Sequence, residues 1–324
     1  MTTAVTGASG HLGGNLVREL LAQGRSVRAL ARKDTRALEG LDVKVVRGNI
    51  LDLDSLRELV RGADTVFHLA AKISIVGGED AIVKKINIQG TGNIVEACLE
   101  AKVKRLVYFS SIHAFSSHPN SEEVDETREL ALGDHHMAYD QSKAKAQTIV
   151  ADGVKEGLHG VIVNPTAVVG PNDFKISRMG EVFLDIYYNR MPMLIDGGYN
   201  WVDARDVVQG ALAAEKYGRR GECYLLPGHW VHMCELSKMI ADLSGRKTPS
   251  GALPMWLALA ASYINAGIAK TIGKTPKFTP RAMKSVQMHR FISGRKAAEE
   301  LGYKARPFNE TVRDTLRWFE NYRL

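Results

Sequence analysis

Tyr139 and Lys143 stand four residues apart in HHMAYDQSKAKAQ, residues 135–147, a stretch that otherwise reads as an ordinary Ala-rich helix. One helical turn separates them, so both side chains lie on the same face. A phenol with an ammonium beside it is a possible acid with an electrostatic helper. The same spacing also arises by chance in a chain with 10 Tyr, and alone it selects neither reading.

A second constellation opens the chain. TTAVT runs into Gly7, Ala8, Ser9, Gly10, His11, Leu12 and Gly13, and then into the helical NLVRELL. A strand that ends in glycines and opens a helix presents backbone N–H groups and the positive helix end, with no Cβ to block a pyrophosphate. This is a dinucleotide site, although its spacing is GxxGxxG rather than GxGxxG. The next strand, SVRALARK, ends near Ala31, where a carboxylate would take the ribose 2′-hydroxyl of NAD. Arg32 and Lys33 stand there instead. Two cations suit the 2′-phosphate of NADP, so NADP is the expected cofactor, with NAD as the alternative.

Elements that position these residues follow from the apolar pattern. Short apolar runs such as TTAVT, SVRALA, DTVFHLA, RLVYFSS and GVIVNPT alternate with helical segments through the first half. That alternation predicts an α/β protein with a doubly wound parallel sheet covered on both faces. After Pro165 the pattern turns to Gly/Pro-rich connections. A dinucleotide-binding domain over 1–164 and a smaller, mainly helical substrate domain over 165–324 are therefore expected, with residues near 201–216 returning to the first.

Length and composition exclude several classes. A chain of 324 residues with 45% apolar content can bury a sizeable core. Its net charge of +7 is spread among acidic residues, which argues against nucleic-acid binding. Cys98, Cys223 and Cys234 are odd in number and far apart, so neither a disulfide framework nor a zinc site is expected. TTAVTG starts almost at Met1 with no cationic, apolar leader, and a cytoplasmic location is expected. ALPMWLALAASYINAGIA, residues 252–269, carries no charge and precedes Lys270, Lys274 and Lys277. A buried helix is the plain reading; an apolar pocket wall or an anchor at a membrane surface is the alternative.

Taken in order, the motifs resemble the extended short-chain dehydrogenase/reductases, and the closing KAAEELGYKARPFNETVRDTLRWF resembles their dihydroflavonol-reductase-like branch. The likeness rests on TGxxGxxG at Thr6 to Gly13, HLAA at His68 to Ala71, and Asn87, Gly90, Thr91 and Asn93. It continues through Ser111, the Tyr139/Lys143 pair and NPTAVVGP at Asn164 to Pro171. The resemblance implies an oxidoreductase in which Tyr139 exchanges a proton with a carbonyl oxygen while a hydride moves to or from the nicotinamide. Lys143 would favour the phenolate and bind the nicotinamide ribose, and Ser111 would donate to the carbonyl oxygen. It further implies cofactor contacts from Asn49 and Ile50, from Leu69, Ala70 and Ala71, from Asn87, and from Pro165 and Thr166. Asn87 is equally readable as a helix N-cap. His113, His135 and His136 are expected near the cleft mouth as polar lining. Tyr199 and Trp201 in DGGYNWVD either close over substrate or pack between domains. The implied substrate is a small carbonyl or alcohol, dihydroflavonol-like or steroid-like, and a homodimer follows from the resemblance. Two alternatives stand beside this reading: a nucleotide-sugar epimerase or dehydratase that retains its cofactor, and a non-enzymatic NADP-sensing regulator.

Overall fold

The computed structural model describes residues 1–74, 79–191, 193–260, 262–263 and 286–322. The first half builds strands β1 (Thr2–Thr6), β2 (Ser26–Ala31), β3 (Lys44–Arg47), β4 (Thr65–His68), β5 (Arg105–Phe109) and β6 (Gly160–Pro165). Between them run helices α1 (His11–Ala22), α2 (Leu53–Val60), α3 (Asp80–Lys84), α4 (Gly90–Glu100) and α5 (Ala138–Lys155). The rest comprises β7 (Ala167–Val169), α6 (Arg178–Tyr187), β8 (Leu194–Ile195), β9 (Gly198–Asp203), α7 (Ala204–Tyr217), β10 (Cys223–Leu226), β11 (His229–His232), α8 (Met233–Ser244), β12 (Ala252–Leu253), α9 (Arg295–Leu301) and α10 (Phe308–Asn321).

Seven parallel strands form the central sheet in the order β3-β2-β1-β4-β5-β6-β10. The order reverses direction between β1 and β4, and a crevice opens at that point beyond the strand ends. Side chains alternate between the two faces, so consecutive residues of one strand enter different cores. Val5 joins Leu16, Leu20, Val207 and Ala211 on one face, while Ala4 joins Leu56, Leu59, Ile94 and Leu106 on the other. Each fully buried leucine of this kind contributes roughly 1.5–3 kcal/mol.

Beyond residue 165 the structure departs from a simple boundary. Helix α7 packs against α1, within the expected returning segment. The chain then returns again: Cys223 to Leu226 pair with Ile162 to Pro165 as the seventh strand, and α9 packs on α7 and β10. CYLL is a short apolar run in Gly/Pro-rich surroundings, and its place is set by long-range pairing. A separate core of Val169, Phe183, Ile186, Trp201, Leu236 and Val312 holds the remaining elements together. Within 252–269, Ala252–Leu253 is a short strand beside β8 and residues 255–260 are helical; apart from 262–263, the rest lies outside the described residues. Among the described residues, no helix is long and apolar enough to cross a membrane.

Candidate active site

Strand register brings the first elements of the site level. Thr6 pairs with His68 and His68 with Tyr108, so Gly7, Leu69 and Phe109 follow in one row at the C-terminal edge. Gly7 has φ +71°, and a Cβ there would sit 2.7 Å from the Ala70 amide nitrogen and 2.8 Å from the Leu69 carbonyl carbon. Only glycine meets both demands. A Cβ on Gly13 would lie 2.1 Å from the Gly7 carbonyl oxygen, because the first turn of α1 packs directly on the loop. The first turn of α1 carries no acidic side chain, leaving its amides free of a competing carboxylate. This cradle fits the pyrophosphate of a dinucleotide. Asn15, which the sequence did not single out, ties the turn to the second half by donating to the Pro171 carbonyl at 3.0 Å. The same oxygen lies 3.1 Å from His11 Nε2.

The other expected cofactor positions spread along the same edge. Gly7, Gly10, His11, Leu12 and Gly13 line a cleft of about 360 Å³, together with Leu69, Ala71, Pro165 and Thr166. Ser9 lies in the glycine turn but outside the cleft walls, and Ala70 packs behind them, its amide donating to Thr6 Oγ1 at 3.2 Å. The buried Thr166 hydroxyl lacks a partner among the described residues. Arg32 and Lys33 are exposed at the end of β2, away from that cleft. Beyond them Asp34 is held by Arg36, whose guanidinium pulls its carboxyl down to about 2. Asn49 is exposed and accepts from the Leu51 amide, while Ile50 is buried and its carbonyl accepts from Asn93.

Asn87 does not cap a helix. It lies in a π-helical turn, Lys85–Gln89, rather than at an N-cap. Its amide clasps the backbone of Lys72 through both Oδ1 and Nδ2, at 2.8 and 3.0 Å, and donates to Ser142 Oγ at 2.9 Å. It therefore fastens the loop after β4 to α5, which carries Tyr139.

Ser111, Tyr139 and Lys143 converge on the cleft and are all buried, 8%, 5% and 2% exposed. Ser111 caps a short turn, accepting from the His113 amide, and its carbonyl accepts from the buried Asn164. Lys143 donates to the Phe109 carbonyl at 2.7 Å and sits over the Tyr108 ring. Burial pushes the lysine down to about 7. Burial likewise pushes the Tyr139 phenol up to about 12, partly offset by its hydrogen bond with Ser111. Desolvation dominates at the phenol, while Lys143 is directed at a carbonyl and a ring face. A neutral phenol results, which suits a proton donor.

Below the trio, His68 is fully buried between Thr6 Oγ1 (2.6 Å) and Thr91 Oγ1 (3.2 Å), and burial pushes its ring down to about 3. His113 lines the cleft, with Nδ1 3.0 Å from Asp140 Oδ1. The rings of His135 and His136 lie 4.0 Å apart, tilted to one another, outside it. Tyr199 forms part of the wall, whereas Trp201 is wholly buried in the second core. Arg178, Met179, Met288, His289 and Ile292 also line the cleft. None belongs to a motif; the fold alone brings them there.

Comparison with known proteins agrees with this geometry. Residues 3–226 match the model of the NAD dependent epimerase/dehydratase family. A Synechocystis sp. protein provisionally named dihydroflavonol 4-reductase is 31% identical over 98% of this chain and 94% of its own. Sterol demethylase protein B of Methylococcus capsulatus is 32% identical, covering 98% of both chains. The solved structure of a nucleoside-diphosphate-sugar epimerase from Pseudomonas aeruginosa superposes with a TM-score of 0.81 at 28% identity, over 99% of this chain and 98% of that one. With its switch-point cradle and buried Ser/Tyr/Lys trio, the chain belongs to the NAD-dependent epimerase/dehydratase family and is an NAD(P)-dependent enzyme of the extended short-chain dehydrogenase/reductase type.

Proposed function

We propose that this enzyme is an NADP-preferring oxidoreductase acting on a carbonyl or alcohol of a neutral, largely apolar molecule. The observation that carries the reading is the buried trio opening into a cleft whose substrate side presents Met179, Tyr199, Met288 and Ile292. When bound, the nicotinamide supplies or takes up the hydride. Tyr139 moves the proton at its phenol oxygen, and its raised value keeps that proton in place at neutral pH until the carbonyl oxygen gains charge. Ser111 donates to the same developing charge. Lys143 holds the row in place through the Phe109 carbonyl. The preference for NADP rests on Arg32 and Lys33, which make no ion pair among the described residues.

Replacing Tyr139 by Phe tests the reading. Turnover of aryl and alicyclic ketones with NADPH should fall about 10²–10⁴-fold while cofactor affinity is retained. A preserved rate removes the mechanism. A cytoplasmic homodimer, paired through α4 and α5, belongs to the same proposal, and light scattering of the purified protein checks the dimer.

One observation favours a second reading, a nucleotide-sugar epimerase that retains its cofactor. Arg178, the first residue of α6, lines the cleft half-buried with no ion pair among the described residues, where a diphosphate would be welcome. Against it, Asn164 stands where such enzymes often carry arginine and is spent on Ser111 and Gln147. Oxidised cofactor surviving gel filtration, with UDP-sugar turnover and no net redox change, would establish the epimerase.

A further inference from the structure

The substrate side of the cleft contains a polar group that the proton-transfer machinery leaves unused. His289 comes from the segment before α9, lines the cleft between Met288 and Ile292, and is 8% exposed. Its Nδ1 is buried with no hydrogen-bond partner among the described residues. A buried imidazole nitrogen left unpaired costs about as much as a lost hydrogen bond unless a ligand supplies the partner. The ring meets His113 edge-on at 5.7 Å, and His113 in turn lies 5.5 Å from the Tyr139 ring. His289 is thus one aromatic ring removed from the proton donor. Its backbone is left-handed, φ +53°, a conformation that non-glycine residues adopt at a cost. Burial, with the charges of His113 and Arg128 adding to it, pushes the ring down to about 3. The imidazole is neutral at physiological pH and both donates and accepts.

We infer that His289 is a specificity-determining residue that hydrogen-bonds a second oxygen function of the substrate, a hydroxyl or carbonyl placed across the molecule from the reacting carbonyl. The inference rests on the carbonyl-oxidoreductase reading and narrows its substrate class. The favoured substrate is an apolar carbonyl compound with one further neutral polar group. Met288, Ile292 and Met179 cover its hydrocarbon body. A hydroxyl or carbonyl of the substrate finds there a partner that is already desolvated.

The test compares α-tetralone with its ring-hydroxylated derivatives, each with NADPH. The readout is the ratio of kcat/KM for a hydroxylated ketone to that for the plain one. One neutral hydrogen bond converts to about a tenfold preference for the best-placed hydroxyl in the native enzyme. His289→Gly accepts the left-handed backbone and deletes the ring, and its ratio should fall to about one. His289→Gln keeps a donor and an acceptor at similar reach and should restore most of the preference. A native ratio near one for every hydroxyl position, or an unchanged ratio in His289→Gly, overturns the inference and leaves the parent reading standing. If the cofactor-loaded enzyme turns over none of these ketones and Tyr139→Phe makes no difference, both fall together. Should His289→Gly not fold, His289→Ala deletes the same ring, and its ratio decides in its place.

Discussion

Replacing Lys143 by Met should make the protein more stable and less active, and the stability gain should shrink as the pH rises. Lys143 is 2% exposed, and burial pushes its ammonium from the ordinary 10.5 down to about 7. Between those values the unfolded chain binds more protons than the folded one, so this group makes stability rise with pH. Its charging penalty is fully present well below pH 7, is about 4 kcal/mol at pH 7, falls to about 2 kcal/mol at pH 9, and vanishes above 10.5. Methionine removes the penalty at similar volume. It also removes the hydrogen bond to the Phe109 carbonyl, about 1 kcal/mol in the opposite direction, because the ammonium's own contacts already form part of its lowered proton affinity. The variant should therefore gain about 3 kcal/mol at pH 7, roughly 4 °C in melting temperature, and only about 1 kcal/mol at pH 9. Differential scanning calorimetry at the two pH values, with ketone turnover beside it, reads both effects. His68 and His289, both pushed down to about 3, complete their own contributions below neutrality and cancel between the two proteins. A variant less stable than the native enzyme at pH 7, or a difference that does not change with pH, would refute the claim that desolvation governs this lysine.

Gly13→Ala places a Cβ 2.1 Å from the Gly7 carbonyl oxygen, and isothermal titration should show NADPH affinity reduced at least tenfold, with about 1–3 kcal/mol lost from stability. An affinity within twofold of native would show that the glycine turn does not hold the cofactor. Arg32→Ala should cut the NADPH-over-NADH preference by about 10–100-fold, because a charge-assisted contact to the 2′-phosphate is worth about 1.5–3 kcal/mol. Steady-state kinetics with both cofactors checks this, and equal losses for the two would place Arg32 elsewhere. Asn87→Leu leaves the Lys72 backbone amide and carbonyl without their side-chain partner and should cost about 1–3 kcal/mol in urea unfolding; a cost below about 0.5 kcal/mol would show that the clasp is not needed.

What was legible in the sequence is what local chemistry determines. The glycine turn is a matter of neighbouring residues: Gly13 meets Gly7 and Ala8 within the same turn, although the close approach that Gly7 makes is to the tip of β4. The alternation of apolar runs states the parallel sheet because buried strands have no polar face to show. Asn87 was less readable: its position before α4 suggests a cap, while its partners Lys72 and Ser142 lie 15 and 55 residues away. Strand β10 escaped for the same reason, since four residues acquire their meaning only beside β6. Charge was the hardest to read. A lysine one turn from a tyrosine implies attraction, but burial moves the two groups in opposite directions and decides the result. His289 belongs to no motif and enters the site by tertiary placement alone.

The register of the sheet explains how such scattered residues come to share one cleft. Thr6, His68 and Tyr108 lie side by side, so their successors form a single row, and each member of the row is fixed by something outside its own strand. Gly7 is pressed against Leu69 and Ala70, Ala70 is held by Thr6, and Phe109 receives the lysine of α5. A slip of one residue in β4 or β5 would turn every side chain of that strand to the other face. It would also break the cradle and misplace the trio together. Cofactor cradle and proton donor are therefore not separately adjustable features. Both are read off one edge, and the cores on either face of the sheet hold that edge in register against the cost of burying a lysine and a phenol beside it.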